Sequence, residues 1–531
     1  MPRFFNNAGP VVPADHYCID PLNRVDWEEI EQLIRQKRYF VLHAPRQTGK
    51  TSTLLAIMDE LNRAGDYVAL YVNIEAAQAA RHDVEAGIAT VCSALVSEAE
   101  YYLGECNLQT WLRQESAQIP AHNRFTKLLG YWAIHCDKPI VLMLDEVDAL
   151  VGDTLISLLR QLRAGYARRP KGFPQSVILC GVRDVRDYRI HTSHQEIITG
   201  GSAFNIKAES LRMGNFSAEE VKALYQQHTD ETGQAFDPGI FAELWADTEG
   251  QPWLVNALGY ELTWKDRAAR DRSQPITLEG YEAARERLIQ SRATHLDQLA
   301  DKLSEPRVNR VISALLDGEE SRLHFAEADL LYVADLGLIQ RKPEVRISNR
   351  IYREVIPREI TAPIQDGIHL EQSWYLTAER KLDMVKLLEA FQQFFREHSD
   401  AWSQQFAFRE AGPQLLLQAY LQRVVNGGGR VNREYGLGRR RTDVLVEWPL
   451  DAEQGFFGPV QRVVIELKIL HKGLEKTLAE GLAQTADYAD RAGADEAHLI
   501  IFNRDAETLW EDKIWHRQEP WQNCTIDVWG A

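Results

Sequence analysis

Cysteine is scarce in this chain, which has six among 531 residues. They are far apart, with no Cys-x-x-Cys pair and no histidine at the spacing of a metal site. This pattern argues against a disulfide framework or a zinc site and favours reduced thiols in the core. The six positions are 18, 92, 106, 136, 180 and 524.

Long apolar runs and an excess of positive charge are also missing. No segment approaches the roughly eighteen apolar residues of a transmembrane helix, and Met1-Pro2-Arg3-Phe4-Phe5 lacks the apolar core of a signal peptide. The 60 Lys and Arg face 77 Asp and Glu, which gives a net charge of −17. We therefore expect a soluble, cytoplasmic protein with no membrane partner, whose surface as a whole does not attract nucleic acid.

Internal repeats and long low-complexity tracts are absent, so the length must be divided among ordinary domains. The 531 residues exceed the roughly 250–300 that one hydrophobic core usually supports. About three domains are expected on that basis.

A phosphate-binding loop is the first motif that is present. The apolar run from Arg38 to His43 predicts a buried strand, and a helix follows the loop. Backbone N–H groups at a helix N-terminus attract phosphate, while the lysine reaches the β- and γ-phosphates and the last threonine holds Mg²⁺. Alanine replaces the usual first glycine, which is tolerable if its φ stays negative. The alternative is a chance Gly-Lys-Thr before a helix. The loop reads Ala44-Pro45-Arg46-Gln47-Thr48-Gly49-Lys50-Thr51.

A second apolar run ends in acids. Residues 139–144 predict a strand buried on both faces, followed by Asp145, Glu146 and, two residues later, Asp148. Asp145 at the strand end suits coordination of Mg²⁺, and Glu146 suits polarising a water toward the γ-phosphate. Asp148 is either part of this site or only a helix cap. With the phosphate loop, these acids predict ATP and Mg²⁺ as ligands.

Further motifs lie downstream of these acids. The strand Ser176 to Gly181 is followed by Arg183, a helix-start capping box begins at Ser217, and Gly250-Gln251-Pro252 marks a turn. Together with the phosphate loop, this set resembles the archaeal-type clade of the STAND branch of AAA-related ATPases, over residues 15–360. The resemblance implies that Arg183 senses the γ-phosphate and that the turn with Pro252 lies against the adenine. A surface arginine and a plain turn are the alternatives.

Residues 307–360 are similar to a winged helix, with helices, a glycine turn and two short strands. Winged helices often bind DNA, whereas in STAND proteins this element usually packs on the nucleotide domain. The helix Glu327 to Leu336 carries three acids and no Lys or Arg, and such a face repels phosphates. We therefore favour the regulatory role over DNA binding.

Two apolar runs near the C-terminus carry charged residues. Arg441 to Val446 contains Asp443, and Val463 to Lys468 contains Glu466 two residues before Lys468. Side chains two apart on a strand share a face, so Glu466 and Lys468 project together, and Asp443 joins them if the strands are neighbours. Two carboxylates suit Mg²⁺, and the lysine can position or deprotonate a water. The alternative is a strand with solvent-facing Glu and Lys.

The order of elements around these runs is helix, three strands, helix, strand. A helix from Ala479 to Arg491 and a strand from His498 to Phe502 follow the charged strands. This order resembles the PD-(D/E)XK nuclease superfamily, in the branch with a Q-x-x-x-Y helix, over residues 400–531; Thr442 replaces the proline of the motif. The resemblance implies Asp443 and Glu466 as metal ligands, Lys468 as catalytic lysine, Glu410 as a helix-borne acid, and Gln484 and Tyr488 as an accessory pair.

We therefore predict an α/β multidomain protein, namely an ATP-binding and ATP-hydrolysing switch that controls a metal-dependent DNA endonuclease, plausibly in antiviral or anti-plasmid defence. DNA would bind the C-terminal domain, where Arg430, Arg433 and Arg439–Arg441 crowd before Asp443, unless that run is only solvated. ADP, Mn²⁺ at the nuclease site and a homo-oligomer on activation complete the expected ligands and partners. The alternatives are a non-catalytic ATP-dependent regulator and the ATPase of a mobile element.

The predicted domains are a P-loop core with a parallel sheet flanked by helices (1–205), a helical lid (206–300), a winged helix (301–362), a helical connector (363–405) and a restriction-endonuclease-like domain (406–531).

Overall fold

The computed structural model divides the chain into two compact units. The first comprises Met1–His295 and Glu327–Ile351, and the second comprises Leu296–Ala326 and Tyr352–Ala531. Among the described residues, no helix is long and apolar enough to cross a membrane. The structure describes residues 2–104, 107–183, 189–191, 197–199, 204–291, 302–303, 305–316, 325–356, 375–405, 416–418, 420–421, 429–437, 440–451, 454–470, 473–503, 505, 507–521 and 524–531.

The centre of the first unit is a sheet of five parallel strands. Parallel strands end at one edge, so the residues that follow them gather there. The three central strands are buried along their whole length, as their continuous apolar runs predict. Across the sheet, the strands are Val68–Asn73, Ile140–Asp145, Ser176–Gly181, Tyr39–His43 and Lys207–Arg212.

Helices cover both faces of this sheet. Alternate residues of each strand belong to different cores; for example, Phe40 packs into one core and Val41 into the other. The unit is therefore a three-layer α/β/α domain, as predicted. The helices Trp27–Arg35 and Lys50–Ala64 lie on one face, and Val84–Leu103, Asn107–Glu115, Ala121–His135 and Gly152–Gly165 lie on the other.

The remainder of the first unit is mainly helical. The predicted capping box is present, because the Ser217 and Glu220 side chains each accept from the other residue's backbone N–H. Within the predicted winged helix, this unit holds one helix, a turn at Gly337 with φ of +81° and an antiparallel strand pair, which we call the winged element (residues 327–351). The rest of the predicted winged-helix domain, residues 301–326 and 352–362, belongs to the second unit. The elements in this remainder of the first unit are Phe4–Phe5, His16–Tyr17, Arg189–His191, Ile197–Thr199, Ala218–Thr232, Ile240–Thr248, Pro252–Tyr260, Leu278–Gln290, Glu327–Asp335, Ile339–Gln340 and Arg346–Ile347.

The second unit contains a mixed sheet of six strands. Its first three strands are antiparallel neighbours, the next two run parallel to the third, and the last is antiparallel. The order is Arg430–Leu437, Arg440–Pro449, Val460–Ile469, Glu496–Phe502, Cys524–Gly530 and Trp515–Trp521. The helices are Pro306–Leu316, Met384–Gln405, Leu474–Ala492 and Trp510–Lys513.

The predicted order of three strands, helix and strand agrees with these elements, whereas the helix predicted ahead of them, between Glu410 and Asn426, falls largely outside the described residues. Two bounds differ slightly, since the fourth strand begins at Glu496 and the preceding helix at Leu474. The sequence reading missed the last two strands. The Trp515–Trp521 strand lies at the sheet edge, is largely exposed and contains Pro520, so it lacks an apolar signal. Glu410 lies outside the described residues.

Candidate functional site

The phosphate loop connects the Tyr39–His43 strand to the Lys50–Ala64 helix. Ala44 is fully buried and is not among the residues with positive φ, so its methyl group meets the condition set by the sequence. Gln47 and Gly49 do adopt positive φ, at 57° and 93°. The backbone therefore curls tightly just before the helix, in the manner of an anion-binding loop.

Lys50 is held inside this loop. Only 5% of the residue is exposed, and its ammonium donates to the carbonyl oxygens of Ala44 and Pro45, each at 3.1 Å. A buried ammonium needs such partners. Because no carboxylate is within ion-pair distance in the described part of the chain, its charge is available to neutralise a phosphate group bound by the loop.

Asp145 is fully buried beside the loop. One carboxylate oxygen accepts from the Thr51 hydroxyl at 2.8 Å and from the Tyr71 hydroxyl at 3.1 Å. The other oxygen accepts from the backbone N–H of Glu146 at 2.9 Å. Hydroxyl and carboxylate oxygens are ligands that Mg²⁺ prefers, so the Thr51–Asp145 pair fits that ion.

Tyr71 is the residue of this site that sequence reasoning missed. It lies inside the Val68–Asn73 strand, whose sequence reads as an ordinary apolar run. Parallel pairing with the neighbouring strand aligns Asn73 with Asp145 and so brings the tyrosine near that carboxylate. Burial and the Asp145 charge raise the pKa of Tyr71, which keeps its hydroxyl protonated as a donor.

Glu146 follows in a left-handed backbone conformation, with φ of 58°. Such φ values are uncommon for a residue other than glycine and cluster at functional sites. Burial raises the pKa of the Glu146 carboxyl, whereas the nearby Lys50 charge opposes that shift. A carboxyl with a raised pKa is a better general base near neutral pH than an ordinary surface glutamate.

Asp148 connects this acidic segment to the residues that follow the Ser176–Gly181 strand. Its carboxylate accepts from the backbone N–H of Val182 at 3.2 Å. The following helix has Val151 as its N-cap, so Asp148 does not cap that helix. The Ser176–Gly181 strand lies between the loop strand and the Asp145 strand, which places Val182 and Arg183 at the same sheet edge.

The winged element packs against this edge within the first unit. The Arg183 guanidinium lies over the Tyr332 ring, 4.6 Å from its centre. A Cβ on Gly337 would lie 2.9 Å from two ring carbons of Pro45, so the turn touches the phosphate loop itself. Arg212 also donates to the Ala334 carbonyl at 3.1 Å.

A cleft next to the phosphate loop is lined by residues of the loop and of the helical part of the first unit. Pro252, Gly49 and Arg24 are among its lining residues. Gly250 has φ of 69°, and a side chain there would collide with the Phe216 carbonyl, so the predicted turn requires glycine. The turn and the loop therefore face one cavity.

The second unit brings Glu466 and Lys468 together. The Lys468 ammonium lies 2.8 Å from a Glu466 carboxylate oxygen, and only 3% of Glu466 is exposed. This burial excludes the alternative interpretation in which Glu466 faces solvent. Val464, two residues before Glu466 on the same face, packs against Leu445 and Tyr488. The Leu474–Ala492 helix therefore covers the face that carries the pair.

Gln484 and Asp443 are two further residues predicted for this site. The side-chain carbonyl oxygen of Gln484, one turn before Tyr488, is buried and has no hydrogen-bond partner among the described residues. Asp443 lies in the strand next to that of Glu466, one residue beyond the register pair Val444 and Ile465. The Asp443 side chain lies outside the described residues.

Together, the parallel sheet, the phosphate loop with its buried lysine and the Thr51–Asp145 contact define a P-loop nucleotide-binding domain. The sequence model of the AAA-like domain family matches residues 19–355. That match covers more than half of the chain, which belongs to this family of P-loop ATPases. No curated protein matches the chain.

Several solved structures resemble the chain at low identity. They include a Walker-type ATPase of Pyrococcus abyssi (13% identity, 66% of this chain and 99% of that one, TM-score 0.45). The ORC2 protein of Aeropyrum pernix has 15% identity over 64% of this chain and 94% of that one, with a TM-score of 0.36. A RuvB variant of Thermotoga maritima has 12% identity over 64% and 98%, with a TM-score of 0.34.

Proposed function

We propose that this chain is an ATP-binding and ATP-hydrolysing switch that controls a metal-dependent DNA endonuclease site in its second unit. The ATPase part rests on the Thr51–Asp145 contact beside the buried Lys50. The nuclease part rests on one observation above all, the buried Glu466 held 2.8 Å from Lys468 beneath the helix that carries Gln484.

In the ATPase site, each residue has a separate task. The backbone of the loop and the Lys50 ammonium bind and neutralise the phosphates. Thr51 and Asp145 would hold Mg²⁺, which would neutralise part of the charge of the bound phosphates. Glu146 accepts a proton from the attacking water and directs that water toward the γ-phosphate.

The contacts of the winged element support a switching role. Arg183 is the residue proposed to contact the γ-phosphate, and it stacks on Tyr332 of the winged element. Gly337 of the same element touches Pro45 of the phosphate loop. A ligand shifts a conformational equilibrium only through its different affinity for the two states. Both contacts would couple the winged element to a nucleotide bound in the loop. ATP would then favour an assembled homo-oligomer and ADP a smaller species.

In the second unit, Asp443 and Glu466 would be the metal ligands, and the ion would act as a Lewis acid on a phosphodiester. Lys468 positions or deprotonates the attacking water. The mixed sheet, whose third and fourth strands are parallel and joined by the Leu474–Ala492 helix, supports a PD-(D/E)XK-type arrangement. Glu410 would complete the site as a helix-borne acid. Antiviral or anti-plasmid defence is the setting that we propose for this activity.

The deciding experiment incubates purified protein with plasmid DNA and Mg²⁺ or Mn²⁺, with and without ATP. Wild type should cut the plasmid, whereas Asp443→Ala and Glu466→Gln should not, and both variants should bind ATP as wild type does. Glu519→Gln is the matched control, because Glu519 pairs with Arg517 two residues away at 2.8 Å on the exposed edge strand. If all four proteins cut equally, the nuclease assignment is wrong.

A non-catalytic regulator is the second candidate, with the same ATP site and a C-terminal domain that only binds DNA or protein. Its supporting observation is the contact between Lys468 and Glu466, which would serve as a structural ion pair. It predicts DNA retention without cleavage under every metal and nucleotide condition.

A further inference from the structure

The sheet of the second unit ends in the Trp515–Trp521 strand, which we call the edge strand. Its inner side pairs with Cys524–Gly530, and no strand in the described part of the chain pairs with its outer side. An edge strand with unpaired backbone groups can accept a strand from another chain. The exposed residues of the edge strand are His516, Arg517, Gln518 and Pro520.

We propose that the edge strand is a homodimer surface, which pairs antiparallel with the edge strand of a second copy of the chain about a two-fold axis at Gln518. The surface is assigned from the second unit alone, so it requires neither ATP binding nor DNA cleavage. The strand that carries Glu466 lies three positions away in the sheet, so substitutions in the edge strand leave the proposed metal site in place.

The direction of backbone groups in the neighbouring strand shows which edge-strand residues face outward. The Ala531 N–H donates to the Ile501 carbonyl at 3.0 Å, on the side away from the edge strand. Backbone groups alternate in direction along a strand, so Gly530 and every second residue before it bond to the edge strand. Their partners are Trp515, Arg517 and Glu519. The residues between these partners therefore direct their backbone groups to the free side, namely His516, Gln518 and Pro520.

A two-fold axis at Gln518 pairs these outward groups with one another. The two Gln518 residues would exchange both of their N–H to carbonyl bonds, and each His516 N–H would donate to the Pro520 carbonyl of the other copy. Pro520 has no N–H, and proline is tolerated at an outward position of an edge strand. Because both copies use the same surface, the interface closes as a dimer.

The charges of the edge strand favour this axis over its neighbours. Arg517 and Glu519 lie on one face and form an ion pair at 2.8 Å within the chain. With the axis at Gln518, Arg517 of each copy lies opposite Glu519 of the other. Moving the axis by one residue places Arg517 opposite Arg517, or Glu519 opposite Glu519. Opposite charges across a strand pair stabilise it and like charges destabilise it, so the charge pattern selects one register.

Aromatic residues at the two ends of the edge strand strengthen the same register. Trp515 and Trp521 are half-buried and pack against the apolar core of the second unit. The Arg517 guanidinium lies 4.9 Å from the centre of the Trp515 ring. With the axis at Gln518, Trp515 of each copy lies opposite Trp521 of the other, and aromatic pairs across strands are stabilising.

A cysteine at the two-fold axis gives the first test. Full-length Gln518→Cys is prepared with Cys524→Ser, because Cys524 is exposed, and is oxidised mildly without nucleotide. Directly opposite residues in a hydrogen-bonded pair have Cα atoms about 5.5 Å apart, within the range of a disulfide. We therefore expect a crosslinked dimer on a non-reducing gel, and none from Cys524→Ser alone.

Arg517→Cys in the same Cys524→Ser background is the matched control, because Arg517 is also exposed. Two Arg517 positions would lie diagonally across the axis, about 7–8 Å apart, beyond the roughly 7 Å that a disulfide spans. This variant should crosslink far less than Gln518→Cys. Equal crosslinking by the two variants, or no crosslinking by either, would overturn the inference.

Charge reversal gives an independent second test, by sedimentation equilibrium of the full-length protein without nucleotide. Arg517→Glu places like charges opposite each other on both sides of the axis and should weaken the dimer about tenfold. Combining it with Glu519→Arg restores opposite charges and should recover wild-type association. The proposal is wrong if wild type stays monomeric at every concentration, if Arg517→Glu associates as wild type does, or if the double variant is as weak as Arg517→Glu.

Discussion

The contact between Gly337 and the phosphate loop can be used to test whether the winged element affects ATP binding. Gly337 has φ of 81°, and a Cβ there would lie 2.9 Å from two carbons of the Pro45 ring. Non-bonded carbon atoms normally lie about 3.5–4.0 Å apart. A proline ring cannot rotate away, so Gly337→Ala must displace either the turn or the phosphate loop whose Pro45 carbonyl accepts from Lys50.

Gly337→Ala has two free-energy costs, one from backbone conformation and one from the close contact, and a control variant separates them. Placing alanine in a left-handed backbone costs about 1–2 kcal/mol, and overpacking a close contact costs about 1–3 kcal/mol. Gly233→Ala is the matched control, because Gly233 has φ of 76° and nothing lies within 4 Å of an added Cβ. The control carries the backbone cost alone, so the difference between the variants reports the contact with Pro45.

If the winged element helps to shape the phosphate loop, part of the contact cost will appear in ATP affinity. A coupling of about 1–3 kcal/mol corresponds to roughly 5- to 150-fold in affinity. We expect Gly337→Ala to bind ATP at least about tenfold more weakly than Gly233→Ala, as measured by titration with a fluorescent ATP analogue. Equal dissociation constants for the two variants would refute the idea that the winged element acts on the nucleotide site.

Three further predictions follow from the same site. Glu146→Gln should bind ATP and lose phosphate release in a hydrolysis assay. Because burial raises the pKa of Glu146 above its ordinary 4.5, ionisation of this carboxyl destabilises the native state as the pH rises past that value. The variant should therefore have a higher melting temperature than wild type at pH 7 and no advantage at pH 4. Arg183→Ala should bind nucleotide nearly normally but fail to form the larger ATP species in light scattering; identical masses of wild type with ATP and with ADP would contradict the proposed gating. Tyr71→Phe removes one hydrogen bond to Asp145 and should weaken Mg²⁺-dependent ATP binding severalfold, with little change in binding measured in EDTA.

Local sequence patterns account for much of the ATPase core. The phosphate loop from Ala44 to Thr51 and the acids at Asp145 and Glu146 were predicted, because each depends on neighbouring residues and a buried strand. The three-layer arrangement also followed from continuous apolar strands alternating with helices. In the second unit, the spacing of Glu466 and Lys468 was enough to place both on one face.

Other features depend on which strands become neighbours. The Thr51–Asp145 contact joins residues 94 positions apart, and it exists because the strand order brings the loop and the Asp145 strand to one sheet edge. Tyr71 enters the same site through parallel pairing, and no local pattern distinguishes it from a core tyrosine. An exposed edge strand such as Trp515–Trp521 is hard to predict from sequence for a related reason, since its stability comes from pairing with a neighbouring strand.

The sequence by itself determined which residues form the phosphate loop, which acids follow the Ile140–Asp145 strand, and that Glu466 and Lys468 share one face of a strand. Only the tertiary structure decided what surrounds those residues, namely the Tyr71 hydroxyl on Asp145 and the Gly337 turn on Pro45. The physical reason is the distance along the sequence between the residues that interact. Strand and loop signals arise from residues a few positions apart, whereas these contacts join distant segments through packing, and packing depends on the whole core at once.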